Sequence, residues 1–365
     1  MPVNHLGYRP WKEKLTSSLT RWWCISSSGI TLAQKSALVK RMLFAAWLPV
    51  LYWGVGFFFV GQAMEGNVDF FPPSVQQDVN HKVDDLLENF NTGSDPSDVK
   101  KATNQVMAAV LLKRHFQRIP EVEQLADGML ENDVNSSRNR VWCWLTMSFF
   151  RYPQGLMILF LVGAITPSLI SRDIRSRAFL LYFSRPISKT EYLLGKFFIP
   201  ATFIALVTML PAITLYIFAV LMSPDLSVVM STWDVPLRIV LGTVVLAVPT
   251  VSVALMFSSL TQESRFATFS WFAFFTLGHA AWLAVVFSYA FRNGGAIPFD
   301  AEVMEIPSVK LWGLLSLYNN IGEVQGWVFG FSPLSDAWPG LAVLLLITVG
   351  ALAVIYRQIS SPMRV

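Results

Sequence analysis

The sequence predicts an all-α polytopic membrane protein: six transmembrane helices, with a small helical extracytoplasmic domain inserted between spans 1 and 2. Three observations predict it. Several apolar runs reach the ~20 residues that a helix needs to cross a bilayer. Only 14% of the 365 residues are charged and 53% are hydrophobic, where a soluble domain carries about 25% charged residues; the mean hydropathy is +0.48. The connections between apolar runs are basic on one side and rich in acid on the other, the pattern that orients spans. The formal net charge of +4 calls for no nucleic acid, because the basic residues sit beside apolar spans, where orientation and anionic lipid headgroups account for them. Cys24 and Cys143 fall on opposite sides in this topology, so no disulfide framework is expected.

Residues 1–41 hold seven Lys/Arg and one acid, Glu13. Trp11, Leu15, Leu19 and Trp22 recur at helical spacing, which predicts a cytoplasmic, basic, interfacial amphipathic helix with Trp at headgroup depth; a disordered basic tail is the alternative. Thr31–Gln34 has the form of a capping box leading toward the membrane. Span 1 is predicted over 42–63, behind a polar leader too long for a secretory signal. Residues 64–140 differ in kind, with thirteen acids, eight bases and no run able to span. Apolar periodicity predicts three helices there: about 78–90, about 95–118 with Pro96 in its first turn, and one after Pro120. A unit of this size buries only about 60% of its unfolded surface, so it is expected to lean on something larger. Asn135-Ser136-Ser137 fits a glycosylation sequon.

Spans 2–6 are predicted within 141–357. Val141–Phe150 is apolar and Arg151-Tyr152-Pro153 interrupts it. This predicts a short interfacial helix, a break at Pro153, then span 2 through Ser171, with Arg151 snorkelling to the outer headgroups. Span 3 covers Tyr192–Met222 with Pro200 and Pro211 inside, kinked or divided into two half-helices. Span 4 covers Pro236–Leu260. A tight inner turn, Thr261–Arg265, leads to span 5 at Phe266–Phe291. Residues 292–337 are external, with five acids and two bases. Val309–Tyr318 is apolar but too short to span, which predicts a re-entrant or interfacial helix near 307–320. Span 6 runs from Trp338 to Arg357, and 358–365 is a short basic cytoplasmic tail. Both termini then face the cytoplasm of a cell (inner or plasma) membrane.

The connection Ile170–Lys196 carries six Lys/Arg against Asp173 and Glu191. Ile174, Ala178, Leu181 and Tyr182 share one helical face. Pro186 ends that helix, and Ser188-Lys189-Thr190-Glu191 is a capping box for the next. One amphipathic helix, 172–184, is therefore expected to lie along the membrane and turn sharply into span 3. The order of Asp173, Leu180, Leu181, Pro186, Ile187, Ser188, Lys189, Glu191, Gly195 and Lys196 resembles the loop between the second and third spans of type II ABC exporter permeases. Arg177-Ala178 stands where many members have Gly-Thr. The resemblance implies a coupling helix that docks into a separate ABC ATPase subunit through Asp173, Ile174, Arg175, Arg177, Phe179 and Leu181, with Pro186, Ser188 and Glu191 shaping the loop. It also implies a second permease copy, as homodimer or heterodimer, and ATP and Mg bound by the partner subunit and none in this chain.

The residues agree with that division of labour. No GxxxxGK[ST] phosphate loop, no HExxH and no Cys/His cluster with metal-ligand spacing occurs, so catalysis by this chain is not expected. His279 is the one ionisable residue read as lying well inside a span, and it follows Gly278, which would let another helix approach closely. Such residues are pathway candidates, although a lone His is also common packing glue between helices. Two other functions stay open: an ABC-type module acting mechanically on an extracytoplasmic protein held by residues 64–140, and a transporter or scaffold not driven by ATP. Residues 64–140 are alternatively a passive insertion capping the transport path. The substrate is not legible.

Overall fold

The computed structural model describes residues 20–65, 134–178, 187–223, 228–292 and 301–360, with a few single positions between 72 and 110. The helices expected within 78–130 and the Trp11–Leu19 part of the N-terminal helix lie outside the described residues. Among the described residues every regular element is helical, and six helices are long and apolar enough to cross a membrane. The protein is a multi-pass all-α membrane protein.

Helix α1 (Arg21–Gln34) precedes span 1, α2 (Ala37–Glu65). The turn between them falls at Lys35–Ser36. Thr31 therefore sits inside α1, donating its hydroxyl to the Ser27 carbonyl at 2.8 Å, and is no helix cap. Span 2 is built from α3 (Val134–Phe149), a π-helical turn (Phe150–Gln154), α4 (Gly155–Ile165) and α5 (Pro167–Arg175). Span 3 is α6 (Lys189–Val207) and α7 (Met209–Leu221); a short α8 (Val228–Ser231) follows. Spans 4 and 5 are α9 (Asp234–Leu260) and α10 (Ser264–Arg292). After α11 (Ala301–Met304) come α12 (Pro307–Gly313) and α13 (Leu317–Phe329), and then span 6, α14 (Leu334–Ser360).

Two expectations are corrected here. Span 2 does not break at Pro153. Its helix continues through Pro153 into Gly155–Ile165, and residues 141–150 are all buried rather than interfacial. The π-helical turn takes the place of the break, since widening the helix by one residue accommodates a proline that has no N–H to give. Gln154 in that turn donates to the Ala46 carbonyl of span 1 at 2.9 Å, one turn before Pro49, where the helix ladder is disturbed. Arg151 consequently turns inward: its guanidinium lies 5.4 Å from the centre of the Tyr318 ring, and its carbonyl accepts from the Tyr318 hydroxyl at 2.7 Å. Its side chain packs against the protein rather than snorkelling at the bundle surface. The second correction concerns the apolar run near 307–320, which is two helices. Ser316 separates them, its hydroxyl accepting from the Asn319 N–H at 3.2 Å, and Asn320 donates to the Leu314 carbonyl at 2.8 Å. Span 3 holds its two helices in one line with a bend at Thr208, three residues before Pro211.

Spans 2 and 4 form the centre, with most of their most apolar stretches buried, while little of that of span 5 is buried. Helix α13 packs between span 4 and span 6, and Gln325 donates to the Gly242 carbonyl at 3.1 Å. At one end of the bundle Arg238 pairs with Asp234 at 2.7 Å and donates to the Val328 carbonyl at 2.9 Å. Asn139 donates to the same carboxylate at 2.6 Å. This knot ties span 2, span 4 and α13 together at what we term the acidic end. The 170–196 connection and the 261–263 turn mark the opposite, basic end.

Candidate functional site

The basic end is organised by the end of span 2. Thr166 interrupts the helix, so α5 begins afresh at Pro167 and its first N–H groups lack partners within the helix. Span 4 supplies one. The Ser258 hydroxyl accepts from the N–H groups of Ile170 (3.0 Å) and Ser171 (3.1 Å) and donates to the Pro167 carbonyl (2.7 Å). Ser171 is in turn bonded to Ser264 of span 5 at 2.8 Å. One serine thus caps a buried helix start from a neighbouring span. Ser258→Ala is expected to cost about 1–3 kcal/mol, because it strands buried donors. Ser252→Ala, whose hydroxyl bonds only its own helix at Val248, is expected to be nearly neutral. Thermal unfolding of the two variants in detergent makes the comparison.

Helix α5 ends at Arg175. The N–H of Ala178 reaches the Asp173 carbonyl at 2.9 Å and that of Arg177 reaches Ile174 at 3.2 Å, a Schellman closure with Arg177 at φ 54°. The amphipathic helix expected over 172–184 is therefore interrupted at 176–178. Left-handed backbone at a non-glycine residue costs about 1 kcal/mol. Arg177 holds the position that glycine serves at least cost. Phe179, Leu181 and Pro186 lie outside the described residues.

Asp173 does not point outward. Its carboxylate meets the Lys196 ammonium at 2.7 Å and accepts from the Tyr192 hydroxyl at 2.7 Å. The side chains of Asp173 and Lys196 are only 14% and 9% exposed, so this is a nearly buried ion pair joining span 2 to the first turns of span 3. Sequence reasoning held both residues as motif letters and missed that they are partners. The signal was there: a lysine two turns inside an apolar span needs an anion.

The expected cap of span 3 is present. Ser188 and Glu191 form the reciprocal capping box: the Glu191 N–H donates to the Ser188 hydroxyl at 3.2 Å and the Glu191 carboxylate accepts from the Ser188 N–H at 2.7 Å. Lys189 reaches Ser360 at the end of span 6 at 3.1 Å. Gly195 gives α1 its seat. A Cβ there would lie 2.7 Å from Ile25 Cβ, and the Gly195 carbonyl accepts from Ser26 at 2.9 Å. Ile174 is half-buried and packs against the core. What remains facing outward is Arg172, Arg175 and Arg177, with Glu263 of the 261–263 turn 3.6 Å from Arg175.

His279 lies away from this end. Its Nδ1 is 3.3 Å from the Ser316 hydroxyl, and its ring packs against Trp282 and Tyr318. It joins span 5 to the start of α13. Next to it Gly278 has the Leu315 carbonyl directly against its Cα face, the close approach its sequence position suggested.

A six-span helical bundle with a braced basic loop between spans 2 and 3 and a helical hairpin before span 6 is the class of a polytopic permease. A family model described as ABC-2 family transporter protein matches residues 51–358, and the chain belongs to that family. Its members are membrane subunits that fill the permease role of an ABC system, generally without catalysis of their own and generally beside an ABC ATPase. Comparison with curated proteins and with solved structures gives no match. Among the described residues no group of His, Cys, Asp and Glu is placed to hold a metal ion.

Proposed function

We propose that this chain is the permease subunit of an ATP-driven export complex. Its basic end faces the cytoplasm, with both termini, and docks a separate ATPase that binds ATP and Mg; a second permease copy completes the transport unit. The observation that carries this reading is the division of charge at the end of span 2. Asp173 is consumed inside by Lys196, while Arg172, Arg175 and Arg177 are exposed on the same short helix and turn. The exposed arginines face outward where an acidic surface can meet them, although Arg175 also pairs with Glu263 at 3.6 Å. The buried pair ties the end of span 2 to the start of span 3, so a push on α5 becomes a rigid-body motion of those spans. Asp173 is accordingly a positioning residue.

Copurification from native membranes with an ABC ATPase tests the assembly, and a chain recovered alone overturns it. Arg175→Glu with Arg177→Glu is expected to weaken ATPase association about tenfold, since reversed charges repel an acidic partner. Substrate-stimulated hydrolysis should fall with it. Arg177→Gly separates backbone from charge: it relaxes the left-handed turn by about 1 kcal/mol, so thermal stability should rise while coupling falls. Coupling unchanged in both variants removes the docking surface.

A further inference from the structure

At the acidic end a cavity of about 610 Å³ opens between span 2, span 5, α12, α13 and the start of span 6. That is within the size range of small-molecule sites, roughly 300–1,000 Å³. Trp144, Met147, Trp282 and Leu314 give it apolar walls. Its rim carries the exposed Tyr152 and Leu311, continuous with the exposed Trp312 and Leu315. Five charged groups line it. Lys310 and Glu305 satisfy each other at 2.6 Å. Arg151 from span 2, Glu323 from α13 and Asp336 from span 6 form no ion pair among the described residues. Arg151 lies over Gly322, where a side chain would collide with its guanidinium. Glu323 is the next residue, so opposite charges stand near each other without closing on each other. Burial raises the Glu323 carboxyl above its ordinary range, with Arg151 offsetting part of the rise.

A second feature is independent of charge. Asn319 is 4% exposed, lines the cavity, and has neither its amide oxygen nor its amide nitrogen partnered. The Ser332 hydroxyl in the same wall is also buried and unpartnered. More than about 90% of buried polar groups have partners, so donors and acceptors left open together mark a place where a polar ligand supplies them.

We propose that this cavity binds the zwitterionic headgroup of a membrane lipid, with Arg151 holding the phosphate and Glu323 the amine. A purely anionic headgroup would meet Glu323 and Asp336, and a purely cationic one would meet Arg151; a headgroup with both charges matches both. The acyl chains leave past the exposed Tyr152, Leu311, Trp312 and Leu315 into the bilayer. The inference requires only the membrane topology, not the ATP-driven function proposed above.

The test uses the full chain purified in detergent, with radiolabelled phosphatidylethanolamine, phosphatidylglycerol and tail-less glycerophosphoethanolamine as probes. Phosphatidylethanolamine should be retained about fivefold or more over phosphatidylglycerol, and Arg151→Gln and Glu323→Gln should each reduce its retention about tenfold, the worth of one charge-assisted hydrogen bond. Thermal unfolding without added lipid identifies a variant that fails to fold. If Arg151→Gln is such a variant, Glu323→Gln decides alone. Equal retention of the two lipids, or unchanged retention of phosphatidylethanolamine by the folded variants, overturns the proposal. Glycerophosphoethanolamine binding as tightly as the intact lipid overturns the lipid source. None of these readouts involves ATP, so their failure leaves the permease reading standing.

Discussion

Lys196→Met is expected to destabilise the solubilised protein by about 3–5 kcal/mol, the cost of leaving a nearly buried carboxylate without its counter-ion. The side chains removed from one another are 9% and 14% exposed, so water cannot replace the lost partner. Asp173 would keep only the Tyr192 hydroxyl, bound at 2.7 Å. The double variant Asp173→Asn with Lys196→Met removes both charges and leaves an amide oxygen for Tyr192. It should recover most of the loss, because a buried pair replaced as a unit costs little. Denaturant or thermal unfolding of the wild type and the two variants in one detergent decides the matter. If the single variant is as stable as wild type, the pair does not brace the loop, and the rigid coupling argued from it falls. Hydrolysis by the assembled complex should follow stability here, unlike the arginine variants, which should lose coupling with the fold intact.

Gly278→Ala should be nearly as damaging, at about 1–3 kcal/mol, through overpacking. The added methyl falls against the Leu315 carbonyl, and that carbonyl belongs to the backbone turn between α12 and α13. It cannot rotate away as a side chain would, so the hairpin must move off span 5. The 3.3 Å contact between His279 and Ser316 should be lost with it. The contrast is Gly350→Ala on span 6, where a Cβ meets nothing within 4 Å. There the gain in helix propensity, roughly 0.5–1 kcal/mol, should appear undiminished. If the two substitutions have effects of the same sign, close contact at Gly278 is not what holds the hairpin. His279 is then read as the fastener it resembles: one hydrogen bond and two ring contacts between span 5 and α13, with a pathway role still to be tested by His279→Gln in a transport assay.

Much of this protein is written along the chain. Six spans follow from apolar runs long enough to cross a bilayer, because in lipid the backbone must satisfy itself and only a helix of that length does so. The Ser188–Glu191 cap is local chemistry, three residues apart, and the structure holds it as the spacing predicts. The close approach at Gly278 was also readable, since only glycine leaves that room. What the chain order does not contain is which residues face which. Arg151 reads as a headgroup anchor when Pro153 is taken to end a helix. The π-helical turn lets span 2 continue, and that rotation aims the same arginine at Tyr318 and the cavity at the acidic end. Asp173 reads as a docking residue by its place in a motif, yet Lys196, 23 positions on, claims it. Ser258 gains its role only because the helix starts afresh at Pro167 on another span and leaves donors for it to cap. In each case the deciding partner lies on a different helix. Composition and periodicity fix how long each helix is and which side of it is apolar, but pairing depends on the rotation and depth at which helices meet, and only the packed bundle sets those.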